Sequence, residues 1–312
     1  MSAGAVAEAH ADPGAAPQDA RDRWTAGRVL RAVGALLFWT TAETLFLLPA
    51  GAADWAAFSA GRSYRPLVPP ASGALLNLLV AAGFVWWFAL RPAARRDARR
   101  RATFRLRAPA PGTWPRVAVA ACGVAVLGNA AMLVLPRFLP FPDGNPLEAY
   151  ARVPGGGAAL LVLAAVVAPL LEEFFFRGWL QGALERRLRV WPAVLAAGFI
   201  FALAHGERFG FAPRFALALA AGYAAWATAS VWPGVALHSA YNLALFAGGA
   251  LLPAVLPAVP AMEAWADREE AAFFFWARQP AVFGGALLAL ALGAALVAWA
   301  VARLPRAVPA ER

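Results

Sequence analysis

Three short segments hold the reactive side chains of the apolar interior. Leu171-Glu172-Glu173-Phe174-Phe175-Phe176-Arg177 carries two acids and a permanent cation. Phe201-Ala202-Leu203-Ala204-His205 sets an aromatic ring one helical turn before a histidine, and His238-Ser239-Ala240-Tyr241-Asn242 sets a histidine one turn before an amide. Residues four apart on a helix share a face, so Glu173 and Arg177 can pair. Glu172 lies about 140° from Arg177 at ~3.6 residues per turn, which leaves its carboxylate free to move a proton. A carboxylate and a neutral imidazole can together deprotonate a water molecule. An imidazole N–H and an amide NH2 can stabilise the oxyanion that forms when this water adds to a peptide carbonyl. No Ser or Cys nucleophile is required: Ser239 sits about 100° round the helix from His238, and no G-x-S-x-G is present. Glu172, His205 and His238 could instead supply a His2Glu zinc set with one open position, although H-E-x-x-H is absent. Taken singly, each segment has a plainer reading: a buried ion pair, or a membrane histidine in an interhelical hydrogen bond.

The elements that must position these groups are membrane helices. Of 312 residues, 61% are hydrophobic and only 15% charged, and the mean hydropathy is +0.58. Apolar runs near 20 residues recur, the length that crosses a ~30 Å hydrocarbon core at ~1.5 Å per residue. Disorder, a disulfide scaffold and an ordinary soluble enzyme are excluded on this composition. Eight spans are expected, at about 30–49, 69–90, 115–136, 158–184, 191–206, 212–230, 233–256 and 280–303. Pro, Gly and Arg punctuate their ends. The fold class expected is therefore all-α, a polytopic transmembrane bundle with an interior polar cavity. An unpaired charge in hydrocarbon costs at least ~2.5–3.5 kcal/mol, so Glu172, Glu173, Arg177 and the two histidines should face a cavity or one another. By simple span bounds His205 falls at the far end of its helix and His238 near the start of its own. Displaced boundaries, or broken helices at Gly206 and Pro233, would let them meet.

The net charge is +10 and every basic residue is Arg. Because the Arg clusters lie between spans, they serve topology rather than nucleic-acid binding. The Arg-rich loop 91–116, Arg186, Arg187 and Arg189, and the C-terminal Arg303, Arg306 and Arg312 put both termini in the cytoplasm, whereas 257–279 is acidic. Residues 261–278 are expected as an interfacial helix. The lone Cys122 excludes an internal disulfide and reads as a small packing residue. Glu43, Asn77 and Asn129 are expected to be satisfied by local hydrogen bonds. The Lys-free, Ala- and Arg-rich usage points to a GC-rich bacterial genome, hence a multi-pass protein of the bacterial cell membrane.

On the motifs Glu172-Glu173-x-x-x-Arg177, Phe201-x-x-x-His205 and His238-x-x-x-Asn242, the sequence resembles the CAAX-protease and bacteriocin-processing (CPBP, or ABI) family of intramembrane endopeptidases, which includes the type II CAAX prenyl proteases. The resemblance covers about residues 155–250. It implies that Glu172 acts as the catalytic glutamate with His205 as its partner in activating water. It further implies that His238 and Asn242 stabilise the oxyanion and that Glu173, Arg177 and Phe201 support the site. It favours a glutamate mechanism without cofactor over a zinc enzyme built on Glu172, His205 and His238. The partners implied are a peptide or membrane-protein substrate and the lipid bilayer, with no nucleic acid and with oligomeric state open.

The chain then divides into a mobile cytoplasmic tail (1–28), accessory spans with a basic cytoplasmic loop (29–154), the core that resembles the family (155–250), and an acidic loop, last span and short basic tail (251–312). The tail is read as a tail rather than a cleaved signal because it is long and contains acids. Two other functions fit the same pattern. One is a non-catalytic immunity, scaffold or regulatory protein of the same fold. The other is a transporter with Glu43, Glu172 and Glu173 as a proton relay, which the lack of repeated halves disfavours.

Overall fold

Proline sets where the helices begin. The computed structural model describes residues 105–139, 158, 161–205, 208–255 and 277–307. The tail, the expected spans 30–49 and 69–90 with Glu43 and Asn77, most of the Arg-rich loop, Gly206 and the acidic stretch up to residue 276 lie outside the described residues. Among the described residues all regular structure is helical. Helix α1 is Thr113–Val134, continued by a 3-10 turn at Leu135–Arg137. Helix α2 runs over 163–185, and α3 is Val190–Ala204. Helix α4 is Phe211–Thr228, α5 is Trp232–Val255 and α6 is Pro280–Ala302. Pro115, Pro192, Pro213, Pro233 and Pro280 each lie in the first turn of a helix, where the missing N–H has no intrahelical partner to lose. Pro233 is thus a helix start and not the break that its place near His238 allowed. Six of the eight expected spans coincide with these helices, and the first two fall on residues not described.

Helix α2 is wound unevenly. It alternates a π-helical turn at Leu163–Val167, an α segment at Ala168–Glu173, a second π segment at Phe174–Leu180, and an α segment at Gln181–Glu185. Pro169 explains the first widening. Inside a helix its ring crowds the carbonyl of the preceding turn and it donates no hydrogen bond, so that turn opens. The second π segment begins directly after Glu173 and contains Arg177. Such wide turns are frequent at functional sites.

The packing is inverted relative to a water-soluble domain. Glu173, Arg177, Gln181 and His238 are buried, while Trp191, Leu195, Phe199 and Leu203 form an exposed stripe along α3 and Leu288, Leu292 and Trp299 lie exposed on α6. Two described helices, Thr113–Arg137 and Pro280–Ala302, are long and apolar enough to cross a membrane. They pack by close approach: a Cβ on Gly123 would stand 2.9 Å from the carbonyl oxygen of Gly293, and one on Gly293 would stand 2.8 Å from that of Gly123. Small residues let backbones meet in this way where lipid gives no hydrophobic drive for association. The core joins α1, α4, α5 and α6 through residues such as Val124, Leu217, Ala224, Leu237, Tyr241 and Ala300. Cys122 is exposed on α1 and does not pack inward as expected. Asn129 is satisfied partly at home, by Ala125, and partly by the carbonyl of Ala244 on α5.

The length of α3 bears on the depth of His205. Its 15 residues rise about 22 Å at ~1.5 Å each, short of the ~30 Å core. A helix of this length that started at a membrane surface would end inside the hydrocarbon core and carry His205, the residue after Ala204, to interior depth. The exposed Arg186, Arg187 and Arg189 mark the surface where α3 starts.

Candidate active site

Four helices bring the three motifs together. Glu172 and Glu173 come from the middle of α2, Phe201 and His205 from the end of α3, and His238 and Asn242 from the first half of α5; α4 closes the back. The Glu173–Arg177 pair forms as the spacing predicts, with Nε of Arg177 at 3.0 Å from Oε2 of Glu173 and both side chains almost fully buried. Arg177 also donates from Nη2 to the carbonyl of Ala218 on α4, 3.3 Å away. Its guanidinium lies 4.5 Å from the Phe201 ring centroid, a cation–π contact.

Glu173 has a second partner that its spacing did not reveal. Its Oε1 lies 3.1 Å from Nδ1 of His238. A carboxylate held by Arg177 can only accept, so His238 donates from Nδ1 and Glu173 fixes the imidazole's orientation. Gly234, one turn before His238, makes this possible, since a Cβ there would stand 2.8 Å from Oε2 of Glu173. His205 is oriented in the same manner by its own helix: Nδ1 lies 2.8 Å from the carbonyl oxygen of Phe201, which can only accept. In both neutral imidazoles the lone pair is therefore on Nε2.

Both Nε2 atoms face Glu172. Its Oε2 is 3.6 Å from Nε2 of His205 and 4.0 Å from Nε2 of His238. That oxygen is buried and makes no hydrogen bond to the described residues, although the Glu172 side chain as a whole is 18% exposed and the His205 side chain 26%. Phe201, wholly buried, is the floor on which the cluster stands. Its ring contacts His205 at 4.8 Å and His238 at 5.4 Å, centroid to centroid.

Asn242 stands one turn beyond His238 and donates from Nδ2 to the carbonyl of Ala164, at 2.7 Å, in the first π turn of α2. Both expected oxyanion donors thus spend one N–H on the protein itself: His238 on Glu173 and Asn242 on Ala164. The Asn242 amide has a second N–H. His238 offers one only when Nε2 is also protonated. As for metal, the described residues include no group of three His, Cys, Asp or Glu side chains placed to hold an ion.

This frame of α2 to α5, with a glutamate between two fixed histidines, coincides with a known domain. Residues 154–244 match the family model described as Type II CAAX prenyl endopeptidase Rce1-like. That segment is similar to an Rce1-like domain. It takes in α2, α3, α4 and the first half of α5, and leaves α1 and α6 outside. No curated protein and no solved structure matches the chain. The Rce1-like family is one of integral membrane proteins, in keeping with the two apolar helices α1 and α6.

Residues outside the motifs also build the site. Gln181, fully buried on α2, and Gly234 on α5 were not singled out by sequence. Gln181 continues the four-residue spacing of Glu173 and Arg177, a signal that was present. For Gly234 no signal existed, because its role depends on how close α5 approaches α2.

Proposed function

We propose that the protein is an intramembrane endopeptidase that hydrolyses a peptide bond of a membrane-bound peptide or protein, with Glu172 as the catalytic base. The observation that carries this reading is the convergence of Oε2 of Glu172 with Nε2 of His205 and of His238. With Glu172 as the carboxylate and both imidazoles neutral, these are three acceptors with no donor among them. Water, which has two hydrogens to give, is the natural occupant of such a point and the reactant of a hydrolase.

In this reading Glu172 and His205 accept hydrogen bonds from the attacking water, and Glu172 removes one of its protons. The water oxygen adds to the carbonyl carbon, and the proton removed passes from Glu172 to the leaving amine, so the proton balance closes. The oxyanion is stabilised by the second N–H of Asn242 and by His238 once Nε2 is protonated, a cation that the Glu173 carboxylate supports. Glu173, Arg177 and Phe201 hold the geometry. No step runs through a metal. The match to type II CAAX prenyl endopeptidases supports a protease and favours substrates presented at the membrane. The charge distribution supports cytoplasmic termini in a bacterial cell membrane.

The test is cleavage of farnesylated and unmodified C-terminal CAAX peptides by the purified protein in lipid discs, with and without a chelator. Wild-type protein cleaves and Glu172→Gln does not. Unimpaired cleavage by Glu172→Gln would remove the assigned base, and loss of cleavage on chelation would overturn the metal-free mechanism. A wild-type phenotype for Glu172→Gln in cells would favour the non-catalytic scaffold or immunity role.

A further inference from the structure

The polar side chains do not stop at the site. Glu173, Arg177, Gln181 and Glu185 follow one another at intervals of four along α2, and each is engaged. Two rungs reach across to α4: Arg177 to the carbonyl of Ala218 and Gln181 to that of Gly222, at 2.8 Å, again four residues apart. Gln181 also donates from Nε2 to Oε1 of Glu185 at 2.8 Å. Glu185 in turn is ion-paired to Arg105, which precedes α1. Arg105 was counted among the loop charges that set topology, yet it is buried and has φ 53°, the left-handed region that a side-chain-bearing residue adopts at a cost. Its segment is tied to the turn between α4 and α5. Val231 N–H donates to the carbonyl of Arg105, Ser230 Oγ to that of Arg107, and Trp232 Nε1 to that of Leu106.

Two buried polar atoms remain between these rungs. Nη1 of Arg177 is a buried donor and Oε1 of Gln181 a buried acceptor, and neither has a hydrogen-bond partner among the described residues. They belong to successive rungs, four residues apart in sequence, that both reach toward α4. Gly222 leaves room for the Gln181 amide, since a Cβ there would stand 2.8 Å from Oε1, as Gly234 does for Glu173. Two glycines on two different helices thus clear space for two rungs of one row.

We propose that Gln181 is a positioning residue: with Glu185 and Arg105 it holds Arg177, and through Arg177 and Glu173 it fixes the orientation of His238. The row thereby ties the orientation of a histidine in the site to the segment at residues 105–107. The activity arm of the test rests on the peptidase reading; the spectroscopic arm does not.

The chain contains three histidines, so the imidazole nitrogens of 15N-histidine-labelled protein can be assigned by single His→Gln variants. Gln181→Leu is expected to shift the His238 ring signals and leave those of His205 in place. Glu185→Leu, at the less buried end, should do the same to a smaller degree, and serves where Gln181→Leu does not fold. Glu185→Gln keeps one acceptor oxygen for Gln181 and loses the charge facing Arg105, so it should move the His238 signals less than Glu185→Leu. In the activity arm, Gln181→Leu should lower kcat about 10- to 100-fold with KM unchanged, the effect of a displaced group rather than lost substrate binding. Unmoved His238 signals in both Leu variants would overturn the proposal, as would a loss of thermal stability alone with kcat intact. Absence of peptidase activity in the wild-type protein would defeat the proposed function while leaving the His238 spectrum to decide the row.

Discussion

The α1–α6 contact and the α2–α4–α5 contact solve the same problem with opposite means. Between α1 and α6 the backbones meet at Gly123 and Gly293, and Val297 fills in beside them. Between α2, α4 and α5 the same closeness is used to enclose an arginine, a glutamate, a glutamine and a histidine. The first interface shows that this chain can join helices in lipid with small apolar residues alone. The charges of the second are therefore not needed for association. Each is expensive at that depth, and a buried ion pair contributes little net stability over apolar packing. On the proposed function their presence makes the second interface the working part, and substitutions can separate the two roles.

The largest separation should come at Glu172. Glu172→Gln keeps the shape and removes the base, so the rate should fall by about 10²–10⁴-fold while the melting temperature in detergent stays at the wild-type value. A rate loss matched by an equal loss of stability would erase the distinction between the two interfaces. Arg177→Met tests the neighbouring acid. It leaves Glu173 buried without its cation, which should cost about 3–5 kcal/mol, read as a lower melting temperature together with lost activity. Asn242→Ala comes next. If its second N–H reaches the oxyanion, kcat should fall about 10²–10³-fold. An unchanged kcat would confine Asn242 to its bond with Ala164.

The polar interface was far more legible in the sequence than the geometry that makes it work. In a chain so poor in charge, Glu172, Glu173, Arg177, His205 and His238 stand out, and the four-residue rule foretold the Glu173–Arg177 pair. Helix starts were legible too, because proline in a first turn leaves a mark. What could not be read was anything that depends on the distance between helices. The bond from Glu173 to His238 links residues 65 apart in the chain. The π turns of α2 alter the angular arithmetic around Glu172, and only Pro169 hinted at them. Arg105 looked like one more cation of a basic loop because nothing local shows that Glu185 would bury it. The shortness of α3, by contrast, was legible: its 15 residues nearly match the span expected at 191–206.

Two glycine-to-alanine changes give the finest discrimination, since each adds one methyl group at a close approach. In Gly123→Ala the new carbon meets the backbone oxygen of Gly293 at 2.9 Å and the Val297 side chain at 2.8 Å. Backbone cannot step aside, so α1 and α6 must part, at about 1–3 kcal/mol for an overpacked site. The cost should appear in melting temperature, with kcat per folded molecule unchanged because the altered interface lies outside the acidic cluster. In Gly234→Ala the new carbon meets Oε2 of Glu173, the tip of a side chain that can rotate away. Stability should suffer less. Rotation of that carboxylate, however, loosens its bonds to both Arg177 and His238, so kcat should fall while KM holds. Thermal melts and turnover measured on both proteins check the pair. If Gly234→Ala melted early and kept its kcat, the second interface would be scaffolding like the first, and its charges would need another explanation.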